Sequence, residues 1–243
     1  MFTNLQHHPA LTQQQHRALP FVSNTDLSRL ADEQLGRPGR GCAAAFAFGS
    51  YFHSATLEPH LFAPANPENA LDHRQRQQAA ALATAIRRRR YPRHVLYLGQ
   101  PEQSYTATHE ATGLTVKVRP DLLIDSPKGR RRTLVDFKTT SCRDLAQFLD
   151  TIEKYGYDRQ GALYADALGA HRVVLIAVQK KPLKGQEPAV WVHELTFEQL
   201  QAGRKKYQKL LRCYAGLQHQ QFGESLTSWS PPPAPPLQRW ARQ

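Results

Sequence analysis

Two aspartates and a lysine are spaced for metal-assisted chemistry on a phosphorus centre. Residues 119–140 place Asp121 after Pro120, and Asp136 and Lys138 either side of Phe137, with apolar runs flanking a turn. The first arm, Leu114 to Ile124, is rich in β-formers and the second runs from Thr133 to Lys138; Ser126, Pro127 and Gly129 supply turn chemistry between them, so a β-hairpin is predicted. Strand alternation puts Asp136 and Lys138 on one face and Phe137 on the other, and Asp121 on the neighbouring arm can enter the same pocket. Two carboxylates there make oxygen ligands for Mg²⁺ or Mn²⁺, ions that keep several waters for substrate phosphates to replace. Such an ion activates water and neutralises developing charge, while Lys138 orients the attacking water or steadies that charge. An acid two residues before a lysine also suits a surface salt bridge, so the pattern alone leaves both readings open.

The rest of the chain must position these groups. Ser23 to Leu35 reads as a capped helix and Ala43 to Leu57 as an apolar, Ala-rich helix carrying His53. Pro67 to Arg90 is a long polar helix ending in Arg87-Arg88-Arg89-Arg90, either a solvated helix end or a patch that tracks phosphates. Val95 to Leu98 and Gln103 to Thr108 read as strands leading into the hairpin, with Glu102 just before the second. Asp125 reads as a turn-starting residue, and Arg130, Arg131 and Arg132 occupy the hairpin tip, where they hold a nucleic-acid strand or guard an exposed edge. Two helices follow, Asp144 to Lys154 and Tyr157 to Leu168, broken near Gly156; Gln160 and Tyr164 are one turn apart on the second and share a face. Strands at Arg172 to Val178 and Ala189 to Leu195 precede a capping box at Thr196 to Gln199 and a helix to about Leu217.

At 243 residues the chain suits one large α/β domain, read here as 21–222, between a flexible, Gln- and His-rich N-terminal tail at 1–20 and a Pro-rich C-terminal tail at 223–243. Lys plus Arg number 32 against 20 Asp plus Glu, a net charge of +12, so nucleic acid is the first partner to consider. No apolar run approaches the ~20 residues needed to span a bilayer, and membrane binding is not expected. Three well-separated cysteines, Cys42, Cys142 and Cys213, form no C-x-x-C pair and are too few for a four-cysteine iron–sulfur cluster. No apolar signal core precedes the domain, and a reducing, cytoplasmic setting is expected.

Pro120-Asp121, fourteen residues, then Asp136-Phe137-Lys138 resembles the signature of the PD-(D/E)XK nuclease superfamily, in its D-x-K form. Gly49-Ser50-Tyr51-Phe52-His53 resembles the upstream Gly-x-x-x-His element of its RecB-like branch, and Gln160-Gly161-Ala162-Leu163-Tyr164 its downstream Q-x-x-x-Y element. Order and spacing over roughly residues 20 to 215 most resemble the exonuclease VIII (RecE-like) recombination nucleases of phages and prophages. The resemblance implies a restriction-endonuclease-like core, a central mixed β-sheet flanked by helices. It also implies that His53, Glu102, Asp121 and Asp136 surround the metal, and that Asp121, Asp136 and Lys138 carry the chemistry. Gln160 and Tyr164 are then expected to contact substrate, and the basic runs that hold Arg88, Arg89, Arg90 and Arg131 are expected, from their charge, to meet its phosphates. The implied activity is 5′ to 3′ digestion of linear double-stranded DNA in homologous recombination, with a single-strand annealing protein as partner and a homo-oligomeric ring as assembly. An endonuclease of the same fold, or a non-catalytic DNA-binding protein on that scaffold, are the alternatives.

Overall fold

The computed structural model describes residues 1–37, 43–62, 70–126 and 131–227. Cys42, Arg130 at the hairpin tip and the proline-rich segment beyond 227 lie outside the described residues. Phe2–His8 forms strand β1, and Thr12 opens helix α1 (Gln13–Ala18) with a capping box. This corrects the expectation of a flexible tail over 1–20: β1 pairs antiparallel with a later strand, Ser104–His109, and the Phe2 ring packs on His109 and Tyr207. Most of β1 faces solvent, as an outer strand of its sheet can, and so its residues carry no apolar alternation for a sequence reading to detect.

Ser23 caps α2 (Asn24–Gln34) through reciprocal bonds with Asp26. Helix α3 spans Ala43–Leu57, α4 spans Ala70–Arg88 and α5 spans Arg90–Leu98. The strand expected at Val95–Leu98 is thus helical. Pro92 falls in the first turn of α5, where its missing N–H has no intrahelical partner to lose, and Val95 is buried beside Ile86 of α4.

Five strands follow: β2 (Gln100–Pro101), β3 (Ser104–His109), β4 (Thr115–Val118), β5 (Leu122–Asp125) and β6 (Arg132–Thr140). Helices α6 (Leu145–Tyr155) and α7 (Tyr157–Leu168) meet at Gly156, whose φ of 70° is the left-handed conformation that glycine tolerates. The chain closes with β7 (Arg172–Gln179), β8 (Val190–Glu194) and α8 (Phe197–Thr227), which starts at the expected Thr196 capping box and runs past the position where the tail was expected to begin.

The strands make two sheets, β1-β3-β4 and β2-β5-β6-β7-β8, the second mixed because β6 and β7 run parallel. The single arm expected from Leu114 to Ile124 is therefore two strands in different sheets. Pro120 has no N–H to give a ladder, so the pairing breaks there and Asp121 lands at the joint. Alternation along β6 divides the core. Val135 and Phe137 bury against Phe52 of α3 and Leu82 and Ile86 of α4, whereas Leu134 buries with Phe148 of α6 and Leu163 of α7. The result is the expected α/β fold, a central mixed sheet flanked by helices. No described helix is long and apolar enough to cross a membrane.

Candidate active site

Antiparallel pairing of β5 with β6 sets Leu122 opposite Val135, and Asp121 directly precedes Leu122 at this end of the pair. The N–H of Phe137 donates to Asp121 Oδ2 at 2.6 Å, fixing that carboxylate against β6 and leaving Oδ1 to face away. There it meets His53 Nδ1 at 3.2 Å, reaching in from α3. Glu102 Oε1 lies 3.7 Å from the same nitrogen. One ligand atom from each of His53, Glu102 and Asp121 falls within 4.8 Å of the others.

Glu102 is held with care. Its φ of 52° places a non-glycine residue in the left-handed region, its N–H donates to the Asp121 carbonyl at 3.1 Å, and Arg119 Nε donates to its Oε2 at 2.7 Å. The same Arg119 guanidinium donates to Ser104 Oγ at 2.6 Å and to the Leu11 carbonyl at 3.1 Å, which ties the N-terminal segment to the site. Arg119 was not among the residues singled out from sequence. Its place directly before Pro120-Asp121 was the available signal.

On the α7 side of the sheet, Lys138 Nζ lies 2.7 Å from Asp136 Oδ2 and donates to Gln160 Oε1 at 3.1 Å, while Gln160 Nε2 donates to Asp136 Oδ1 at 3.0 Å. Gln160 thus bridges the acid and the lysine. Asp136 Oδ2 is buried and has the ion pair but no well-aligned hydrogen bond, which leaves an acceptor available to a ligand. Lys138 Nζ also sits 4.8 Å from the Tyr157 ring centroid, a contact the sequence reading did not anticipate.

Burial pulls the His53 imidazole down, but the Asp121 and Glu102 carboxylates outweigh it and raise it to about 10. Burial pushes Asp136 up to about 6 against the opposing pull of Lys138. Asp121 is held below the usual carboxylate range because His53 and Lys138 overcome its burial. Lys138, although buried, is held above its ordinary value by Asp136, Tyr157 and Asp121. Tyr164 is half-buried on α7 and raised by its burial and by Asp136, so it sits beside the site as a neutral phenol.

The three-donor cluster, one imidazole and two carboxylates, has the chemistry of a Mn²⁺ or Mg²⁺ site, with oxygen ligands for a hard cation and a nitrogen that favours Mn²⁺. Asp136 lies outside that cluster and is engaged by Lys138 and Gln160 instead. Arg88 pairs with Glu187 at 2.6 Å, and Arg90 is exposed at the start of α5 beside Tyr91 and Arg93. Arg89 is exposed at the α4–α5 junction. Arg131 precedes β6 at the end opposite Lys138, seven residues or ~23 Å away at strand spacing, and does not reach the site.

The family described as "PDDEXK-like domain of unknown function (DUF3799)" matches residues 31–224, well over half of the chain. Among solved structures, a candidate exonuclease from Eubacterium rectale superposes with a TM-score of 0.62 at 20% identity, covering 85% of this chain and 87% of that one. The structure of SSO0001 aligns over 77% of this chain and 84% of its own at 12% identity, but its TM-score of 0.34 is too low to bear on the fold. A search of curated proteins found no match. By its fold and its family match, this chain is a member of the PDDEXK-like domain family of unknown function and, through it, of the PD-(D/E)XK nuclease superfamily.

Proposed function

We propose that the protein is a Mg²⁺- or Mn²⁺-dependent deoxyribonuclease that hydrolyses phosphodiester bonds of linear double-stranded DNA, working from 5′ to 3′. The observation that carries this reading is the approach of His53, Glu102 and Asp121 to one another beside the Asp136–Lys138 pair. His53, Glu102 and Asp121 would hold the ion, with Asp136 engaged by Lys138 alongside. When bound, the ion supplies an activated water and positive charge against the phosphoryl oxygens.

The side chains do the remainder. Lys138 keeps its proton in this setting, which suits either of its two sequence-based roles, orienting the attacking water or steadying negative charge on the transition state. Gln160 aims that ammonium and fixes the orientation of Asp136. Asp136, pushed up to about 6 by burial in the ion-free site, is ionised at neutral pH and keeps its pairing with Lys138. Tyr164 contributes a neutral wall, and Arg119 preserves the geometry of Glu102.

The direction of digestion, a role in recombination beside an annealing protein, and a ring-shaped homo-oligomer rest on the resemblance to the RecE-like nucleases. A linear duplex labelled at either the 5′ or the 3′ end tests polarity. Early release of the 5′ label supports the reading, and early release of the 3′ label reverses it.

A further inference from the structure

A hollow opens beside Lys138. It has a volume of about 980 Å³ and is lined by Thr139 and Thr140, which end β6 directly after the lysine, and by Ser141 and Cys142 beyond them. Tyr157 lines it too, and the ring of Tyr157 is the one beneath Lys138 Nζ, so the hollow and the proposed catalytic lysine share a wall. Two large aromatic side chains stand exposed on its flanks, Phe46 from α3 at 64% and Tyr155 from the end of α6 at 47%. Three cations, Arg29, Lys154 and Lys180, line the same space against two acids, Asp32 and Asp150. Lys154 Nζ lies 5.6 Å from the Tyr155 ring centroid, which joins cation and ring in one surface.

We propose that this hollow is a subsite for unpaired nucleotides, in which Phe46 and Tyr155 stack on bases and Arg29, Lys154 and Lys180 contact the flanking phosphates. Aromatic rings interleaved with cations along a groove are what sequence-tolerant single-strand binding requires, because every base has a π face and every link a charge. A purely electrostatic groove would need no exposed rings, and a purely apolar docking surface would not carry three cations. This subsite rests on the nuclease reading for its purpose: strand ends leaving or approaching Lys138 would be held melted rather than paired.

The test uses the full chain in chelator, so that nothing is cut, with a fluorescent oligothymidylate and a strand of equal length and charge carrying abasic sites. The wild type is expected to bind the base-bearing strand at least about fivefold more tightly than the abasic one. Tyr155→Ala and Phe46→Ala should each shrink that ratio while leaving abasic binding in place, and Tyr155→Phe should restore it. Equal affinity of the wild type for the two strands, or an unchanged ratio in both alanine variants, overturns the proposal. Cleavage of duplex DNA by the wild type is scored separately: a base preference without cleavage sinks the nuclease reading and keeps the subsite, and cleavage without a base preference does the reverse.

Discussion

Arg119 grips Glu102 through a 2.7 Å bond from Nε to Oε2, and Glu102 accepts this hold in a left-handed backbone conformation. A glutamate at φ 52° persists only where its surroundings over-determine it, and here the restraint converges on a carboxylate that faces His53 and Asp121.

Arg119→Lys keeps the charge but loses the fork that reaches Glu102, Ser104 and Leu11 together. Support of this kind typically matters by about 10- to 100-fold in metal affinity. Titration calorimetry with Mn²⁺ should show a weakening of that order with far-UV dichroism unchanged; unaltered affinity would remove Arg119 from the site.

Lys138 and Gln160 separate by kinetics. Lys138→Ala should lower kcat by about 10²- to 10³-fold with little change in KM, since it acts on charge that develops in the transition state. Gln160→Ala, which leaves the lysine present but unaimed, should cost roughly 10-fold or more in kcat. A variant of either residue that raised KM alone would assign it to DNA binding.

The ion-free protein should lose stability as pH rises. His53 is raised to about 10 in the folded chain against an unfolded value near 6.5, so its contribution is complete below ~6.5 and is lost as pH climbs through about 10. Asp136, raised to about 6 from 3.8, weakens the fold in the same direction at lower pH. Thermal midpoints in chelator should therefore fall between pH 6.5 and 10, and His53→Gln should flatten the slope. Mn²⁺ must displace the His53 proton, so its stabilising effect should grow with pH, and binding enthalpies at neutral pH should depend on the ionisation enthalpy of the buffer. A wild-type slope matched by the variant would contradict the pairing of His53 with Asp121.

Two glycines of α8 make opposite predictions for stability. A Cβ at Gly203 would run into the Asp158 carbonyl of α7, whereas nothing lies within 4 Å of the corresponding position at Gly216. Gly203→Ala should cost about 1–3 kcal/mol or more in urea unfolding, and Gly216→Ala should gain roughly 0.5–1 kcal/mol. Equal effects would mean that α7 and α8 are not in backbone contact there.

How much of this was legible in sequence depended on whether a local rule decided the outcome. Strand alternation is local, and it placed Asp136 and Lys138 away from Phe137 on β6. The cap expected at the start of Ser23 to Leu35 and the capping box at Thr196 are also local, and both helices begin there, the first with Ser23 as its cap. The break at Pro120 needed knowledge of two sheets, since either side of it is equally β-prone; Asp121 owes its position to that break. Val95–Leu98 misled because β-branched and aromatic residues were read without the burial of Val95 against α4. The proximity of His53 and Glu102 to Asp121 followed from family resemblance alone, since 68 and 19 residues separate them from it and no local rule links them. Arg119 and Tyr157 were missed because a second layer of contacts has no sequence spacing of its own.

The most direct measurement incubates the purified protein and its Asp136→Asn variant with linear and covalently closed circular duplex DNA in Mg²⁺, in Mn²⁺ and in chelator. The account predicts that the wild type degrades linear DNA only when a divalent ion is present, and that the variant binds DNA but leaves it intact. Cleavage in chelator, or a variant that cuts as the wild type does with the same metal dependence, would contradict it.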